Sequence, residues 1–248
     1  WCAGGRAAAS APAALSGARR ALVNLAADAR YGVLWLVPAE RAAELSEEAP
    51  NELAVELVER LEVEKAAEII DELDSDVQAD VIGELDDEDA EAILAEMDAE
   101  DAADVRRLVE YDDDTAGGLM VAEAFTFRET ETVGAVLRRL ASEEEDFERY
   151  RGQHPYIVDA DFRPIGVVSL RNLLTAKRGS KLTEIMATPI VVPVSTHLDE
   201  LRDLFDEHPF LGMPIVEADG RLVGVLSRSA VDTAALELSL IPLSEPTT

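Results

Sequence analysis

The residues of this chain best equipped for chemistry are its carboxylates. Aspartate and glutamate number 52 against 22 lysines and arginines, which sets a formal net charge of -30. A surface so charged repels nucleic acid and anionic lipid and draws cations through its summed field, so a cation is the natural partner. A solvated acidic surface with no ligand would carry the same charge. Other chemistry lacks its parts. The three histidines, His154, His197 and His208, are scattered, no serine or cysteine stands in a nucleophile context, and no phosphate-cradling glycine loop occurs. The sequence therefore points away from an enzyme. The single cysteine, Cys2, has no partner for an intrachain disulfide and no Cys/His cluster offers zinc ligands, which fits a reducing cytosolic setting.

The elements that must position these acids fall into two kinds. From about Tyr31 to Glu110, apolar residues recur every twelve positions, at Val37, Ala49, Leu61, Leu73, Leu85, Met97 and Val109. A second register runs Val33, Leu45, Leu57, Ile69, Val81, Ile93, Val105, and a third places small residues at Ala42, Ala54, Ala66, Ala90 and Ala102, broken at Gln78. Within a unit the apolar positions lie three, four and seven or eight apart, the spacing of one helix face. Units start at Pro38, Pro50, Glu62, Asp74, Asp86 and Asp98, where proline suits a first turn and aspartate accepts from free backbone N–H groups. Helices of about two turns are unstable alone in water, so each must lend its apolar stripe to its neighbours. A superhelical stack of short helices follows, with carboxylates outside.

After Asp112 the pattern changes to β-branched runs, glycine turns and helices, with a boundary near Gly117-Gly118. This half repeats too. Tyr156-Ile-Val-Asp-Ala-Asp-Phe-Arg-Pro-Ile-Gly166-Val-Val-Ser169 parallels Pro214-Ile-Val-Glu-Ala-Asp-Gly-Arg-Leu-Val-Gly224-Val-Leu-Ser227 without a gap. An amphipathic helix precedes each copy, Val133 to Leu140 and Leu198 to Phe205, and before that stands a methionine-led segment, Leu119-Met120 or Ile185-Met186. Each copy reads as strand, tight turn at Asp161 or Asp219-Gly220, strand and helix, with Gly166 and Gly224 where a strand must approach a neighbouring backbone. This resembles the CBS module, which occurs as a pseudo-twofold pair. The expected fold class is α plus α/β: a short-helix superhelical repeat domain followed by a tandem CBS (βαββα-type) pair. The expected domains are a low-complexity start at 1–30, the superhelix at 31–116, CBS modules at 117–180 and 181–238, and a tail at 239–248.

The junction Tyr111-Asp-Asp-Asp-Thr115-Ala116-Gly117-Gly118-Leu119-Met120 resembles the segment that couples the N domain to the first CBS module in MgtE-type magnesium transporters. The resemblance covers roughly Arg30 to Ala235. It implies the cytosolic Mg2+-sensing regulatory region of such a transporter, a homodimer through its CBS pair at the cytoplasmic face of the cell membrane, closing around Mg2+ to gate transport. A membrane domain of the same transporter is then the partner. No apolar run here approaches the roughly 20 residues that span a bilayer, and the start at Trp1 and the Pro/Ser/Thr end read as cuts of a longer protein. Mg2+ prefers oxygen ligands, keeps several waters and is often held by one or two carboxylates. Carried over by position, the family's metal-contacting acids fall on Glu44, Asp76 and Asp80 in the helical domain and on Asp199 in the CBS pair. Others fall on Pro209, Ala230 and Thr233, which cannot serve, so Asp206 and Asp232 are the nearby substitutes.

Two alternatives stay open. CBS pairs often bind AMP or ATP, using an aspartate three residues after the serine that follows the glycine strand; here that position holds Asn172 after Ser169 and Ala230 after Ser227. Asn172 can accept from a ribose hydroxyl and Arg171 can meet phosphate, which makes Ser169, Arg171 and Asn172 the candidate nucleotide residues. The other alternative is a free-standing soluble interaction module.

Overall fold

The computed structural model describes residues 38, 39, 42, 43, 51–141, 150 and 153–240. The chain divides into two compact units, one ending at Val109 and the other beginning at Glu110.

The twelve-residue period is written directly into the first unit. Helices α1 (Asn51–Val58), α2 (Val63–Ile70), α3 (Ser75–Glu84), α4 (Asp87–Glu96) and α5 (Ala99–Leu108) start twelve residues apart. Packing skips a neighbour: α1 lies on α3, α2 on α4 and α3 on α5. Each helix thus supports the next but one, as a superhelical stack requires. Ile69, Val81, Ile93 and Val105 of the second register are buried, as are Leu73, Leu85 and Met97 of the first; burying each such side chain stabilises by roughly 1.5–3 kcal/mol. Val109 departs from its register and is 42% exposed, because no further helix follows to cover it in this unit. The break in the small register has a purpose. Gln78 is buried where the other units place alanine, and its Nε2 donates to the carbonyls of Ile70 and Leu73, both at 2.9 Å. These lie at the end of α2, where helix carbonyls run out of intrahelical partners.

The helix starts correct one expectation. Glu62, Asp74, Asp86 and Asp98 do precede α2 to α5 in extended or near-extended conformation, yet only the Asp98 side chain caps its helix, accepting from Glu100 N at 2.9 Å. At Asp74 and Asp86 no side-chain cap forms. The aspartates mark the starts, and favourable placement near a helix N-terminus remains as their contribution there.

The second unit holds two like modules. The short helix α6 (Ala116–Leu119) leads into β1 (Thr126–Arg128), α7 (Val133–Arg139), β2 (Tyr156–Val158), β3 (Pro164–Val167) and α8 (Leu170–Thr175). A 3-10 turn at Leu182–Glu184 leads into β4 (Val192–Pro193), α9 (Leu198–Glu207), β5 (Gly212–Val216), β6 (Leu222–Ser227) and α10 (Arg228–Leu240). In each, the first two strands pair parallel across the intervening helix and the last two form an antiparallel hairpin, giving sheets β1-β2-β3 and β4-β5-β6. The βαββα pattern holds in both copies.

The methionine-led segments cross between modules. Val121 pairs with Val225 of β6, and Ala187 pairs with Val167 of β3. Here the two glycines find their reason. A Cβ on Gly224 would lie 2.5 Å from Val121 O and 2.6 Å from Met120 Sδ, and one on Gly166 would overlap the Met186 side chain. The junction is locked in the same reciprocal way: Ala116 and Gly117 donate to Thr196 O and Val194 O, ahead of α9, while Leu182 N donates to Glu131 O, ahead of α7. Thr115, Ala116 and Gly117 are buried, and the Tyr111 hydroxyl donates to Glu217 Oε1.

Candidate cation and nucleotide residues

Two of the three candidate acids of the first unit, Asp76 and Asp80, stand on one helix, α3. Asp76 sits in the first turn of α3 and is half-buried, with Oδ1 accepting from Val77 N at 3.0 Å; Asp80, one turn on, is exposed. A separation of four places both on the same face, where like charges oppose each other mildly. Glu44 lies outside the described residues.

In the second unit, Asp199 opens α9 and is almost wholly exposed, with Arg202 Nη1 at 3.8 Å. Asp206 lies near the end of the same helix, and Arg228 Nη1 stands 3.9 Å from it. That arginine is committed elsewhere: it donates to the carbonyls of Phe205, His208 and Phe210 and stacks on the Phe205 ring, closing the C-terminal end of α9. Asp232 is exposed on α10. Asp203, exposed on α9, completes a line with Asp199 and Asp206 at spacings of four and three. The sequence carried that signal as helical spacing, and carry-over by family position passed it by. Among the described residues no group of three or more His, Cys, Asp or Glu side chains converges closely enough to hold a metal ion. Among the described residues the donor set is one of scattered carboxylates, all exposed but the half-buried Asp76. It fits a hydrated hard cation touched by one or two acids and does not fit a caged ion.

The nucleotide residues surround the start of α8. Ser169 caps it, accepting from Asn172 N at 3.2 Å, and Asn172 Nδ2 donates to Ile185 O at 2.9 Å. Asn172 Oδ1 is left as an acceptor, and the Arg171 side chain is exposed. In the second module Ser227 Oγ accepts from Ala230 N at 3.1 Å and shares a hydrogen bond with Ser229, but Ala230 has no acceptor to offer. The two copies share a fold and differ in chemistry. Tyr156 is buried, which pushes its phenol pKa up and keeps it neutral.

Comparison with known proteins agrees with the fold. The family model described as the MgtE intracellular N domain matches residues 17–114, and the CBS domain model matches residues 116–179 and 182–237. The magnesium transporter MgtE of Thermus thermophilus is 38% identical over 126 residues, covering 50% of this chain and 28% of that protein. MgtE of Enterococcus faecalis is 24% identical over 125 residues, 50% of this chain and 27% of that protein. The chain thus spans under a third of these curated relatives. A crystal structure of the cytosolic domain of the Mg2+ channel MgtE in complex with ATP superposes with a TM-score of 0.78 at 31% identity, covering 89% of this chain and 90% of that one. The soluble part of a magnesium transporter gives a TM-score of 0.79 at 19% identity, over 91% and 88% of the two chains, and shares the fold.

Proposed function

This chain belongs to the MgtE family, and from that premise we propose that it is the cytosolic Mg2+-sensing regulatory region of a magnesium transporter. In this reading Mg2+ held by Asp76 and Asp80 on α3, with Glu44, and by Asp199 on α9, aided by Asp206 and Asp232, favours the closed arrangement that holds the transporter shut. The observation that supports it is the scatter of carboxylates, which among the described residues complete no site alone. Such acids repel one another, and an ion shared among them offsets that repulsion. A ligand shifts a conformational equilibrium only through differential affinity, and incomplete sites that assemble on closure provide it. The partner is the membrane domain of the same transporter, and a homodimer through the CBS pair sets the working unit at the cytoplasmic face of the membrane.

Limited proteolysis at matched ionic strength tests this. Val109, Glu110 and Asp112 to Asp114 are exposed and Tyr111 is half-buried, whereas Thr115 to Gly117 is already buried, so cleavage falls in the stretch from Val109 to Asp114. Millimolar magnesium is expected to slow it, and equal rates with and without magnesium would overturn the reading.

A second reading adds an adenine nucleotide, ATP or AMP, at Ser169, Arg171 and Asn172 of the first module. It is supported by the free acceptor on Asn172 and by the ATP complex of the similar cytosolic domain. A further arm of the same digestion uses ATP without magnesium: protection of α8 that disappears in Asn172→Ala supports it, and protection that persists in the variant removes it.

A further inference from the structure

Away from the candidate acids and from Ser169, the tips of the two hairpins enclose an open cavity of about 500 Å³. Three arginines line it, Arg128, Arg163 and Arg221, together with Asp161, Phe162 and Asp219. Its walls join the modules. Arg163 Nε donates to Asp219 O at 3.1 Å, and Leu222 N donates to Phe162 O at 3.0 Å.

The lining is built to stay in place. Asp159 Oδ1 accepts from the backbone N–H of Asp161 and of Arg163, both at 2.9 Å, and Asp219 Oδ1 accepts from Arg221 N at 3.0 Å. One of the two lining carboxylates is therefore engaged by its own turn. The other, Asp161, is 3.7 Å from Arg163 Nη1 with both side chains at least half exposed, a pairing too weak to neutralise that arginine. The Arg221 guanidinium has no ion pair or hydrogen bond among the described residues. Such an unpaired guanidinium is notable where acids outnumber bases 52 to 22. The second hairpin turns on Gly220 at φ +84°, whereas the first turns on Phe162 at φ +63°, a left-handed conformation that a side chain resists. Strain of this kind gathers at ligand sites. Phe162 carries the Arg128 guanidinium 5.4 Å from its ring centroid, and Arg128 Nη1 is further fixed by Asp159 O at 2.6 Å.

We propose that this cavity binds a diphosphate-class anion across the seam between the modules. Guanidinium forks match phosphate oxygens bidentately, and a ligand with several anionic oxygens engages more than one fork where a single carboxylate engages one. The cavity volume lies in the small-molecule range. Arg128 already covers the Phe162 ring, so the site reads phosphate and offers no stacking platform for a base. The repulsion of distant acids is screened within about 8 Å at physiological ionic strength, so the local arginines decide.

Calorimetric titration of the full chain with inorganic pyrophosphate, free of divalent cations at an ionic strength of about 0.15 M, tests it. Binding is expected in the unaltered chain, weakened about tenfold by Arg221→Gln and by Arg163→Gln and unchanged by Arg60→Gln on the helical unit. Both substituted lining arginines are exposed, and matched circular-dichroism spectra certify folding; either variant alone suffices. The same titration with ATP separates the sources. ATP affinity falling in parallel identifies a nucleotide's phosphate tail, and ATP affinity unmoved by Arg221→Gln while pyrophosphate weakens identifies free diphosphate. No heat with pyrophosphate, or binding indifferent to both arginines, overturns the proposal, and neither result bears on the magnesium reading.

Discussion

Asp76 and Asp80 present the sharpest case of a residue whose meaning depends on a ligand. Four apart on α3, they place like charge on one helix face, and a shared cation offsets that repulsion. Replacing both by asparagine removes the charge that recruits Mg2+ and keeps an oxygen and the volume at each position. Asp76→Asn with Asp80→Asn is expected to raise the magnesium needed for half-protection of Val109 to Asp114 by about tenfold, the scale of one lost charge-assisted contact. An unmoved midpoint would place the ions elsewhere. The carboxylates were legible in the sequence as composition, and their helix face was legible as spacing. Asp203 was legible only as spacing, and its place on the exposed line of α9 needed the fold. The commitment of Arg228 to the α9 carbonyls was not legible, because it joins residues about twenty positions apart.

At the scale of the element, the repeat declares itself through period and burial, while caps and exceptions come from contact. The alanine register invites the substitution Gln78→Ala as a return to pattern. The structure argues the opposite, since the Gln78 amide donates to the Leu73 carbonyl and adds a second bond to the Ile70 carbonyl, which already accepts from Leu73 N. Gln78→Ala is expected to destabilise the helical unit by about 1–3 kcal/mol, the range for leaving buried polar groups unpaired and a void behind. Urea unfolding followed by circular dichroism reads this directly, and a neutral or stabilising effect would show that the carbonyls find water instead. The hairpins teach the same distinction. Glycine at 220 announced a left-handed turn, whereas Phe162 in the equivalent turn did not, because nothing in a phenylalanine codes for positive φ.

For the molecule as a whole, the net charge of -30 outweighs any single ion pair, because its self-repulsion is spread over both units. The screening length falls from about 30 Å at 0.01 M salt to about 10 Å at 0.1 M, so sodium chloride across that range is expected to raise the melting temperature by several degrees. Magnesium chloride at equal ionic strength is expected to raise it further, since binding to the folded state adds to screening. Scanning calorimetry in the two salts separates screening from binding: identical curves would mean that magnesium acts as ionic strength alone. The two compact units give that measurement a natural structure, with transitions assignable to the helical unit and the CBS pair.

The sequence by itself determined the helical period, the duplicated strand-turn-strand-helix modules, their order and the acidic character. These are local patterns, and helices and hairpins are bonded among near neighbours in the chain. It also carried the family through the junction at Tyr111 to Met120. Only the tertiary structure decided what depends on distant residues meeting: Met120 and Met186 lying against Gly224 and Gly166, α9 closed by Arg228, the modules' exchange of Val121 and Ala187, and three arginines lining one cavity at the hairpin tips. Spacing along a chain fixes a face of an element. Which faces come together is settled by packing, and that is where the candidate chemistry of this protein resides.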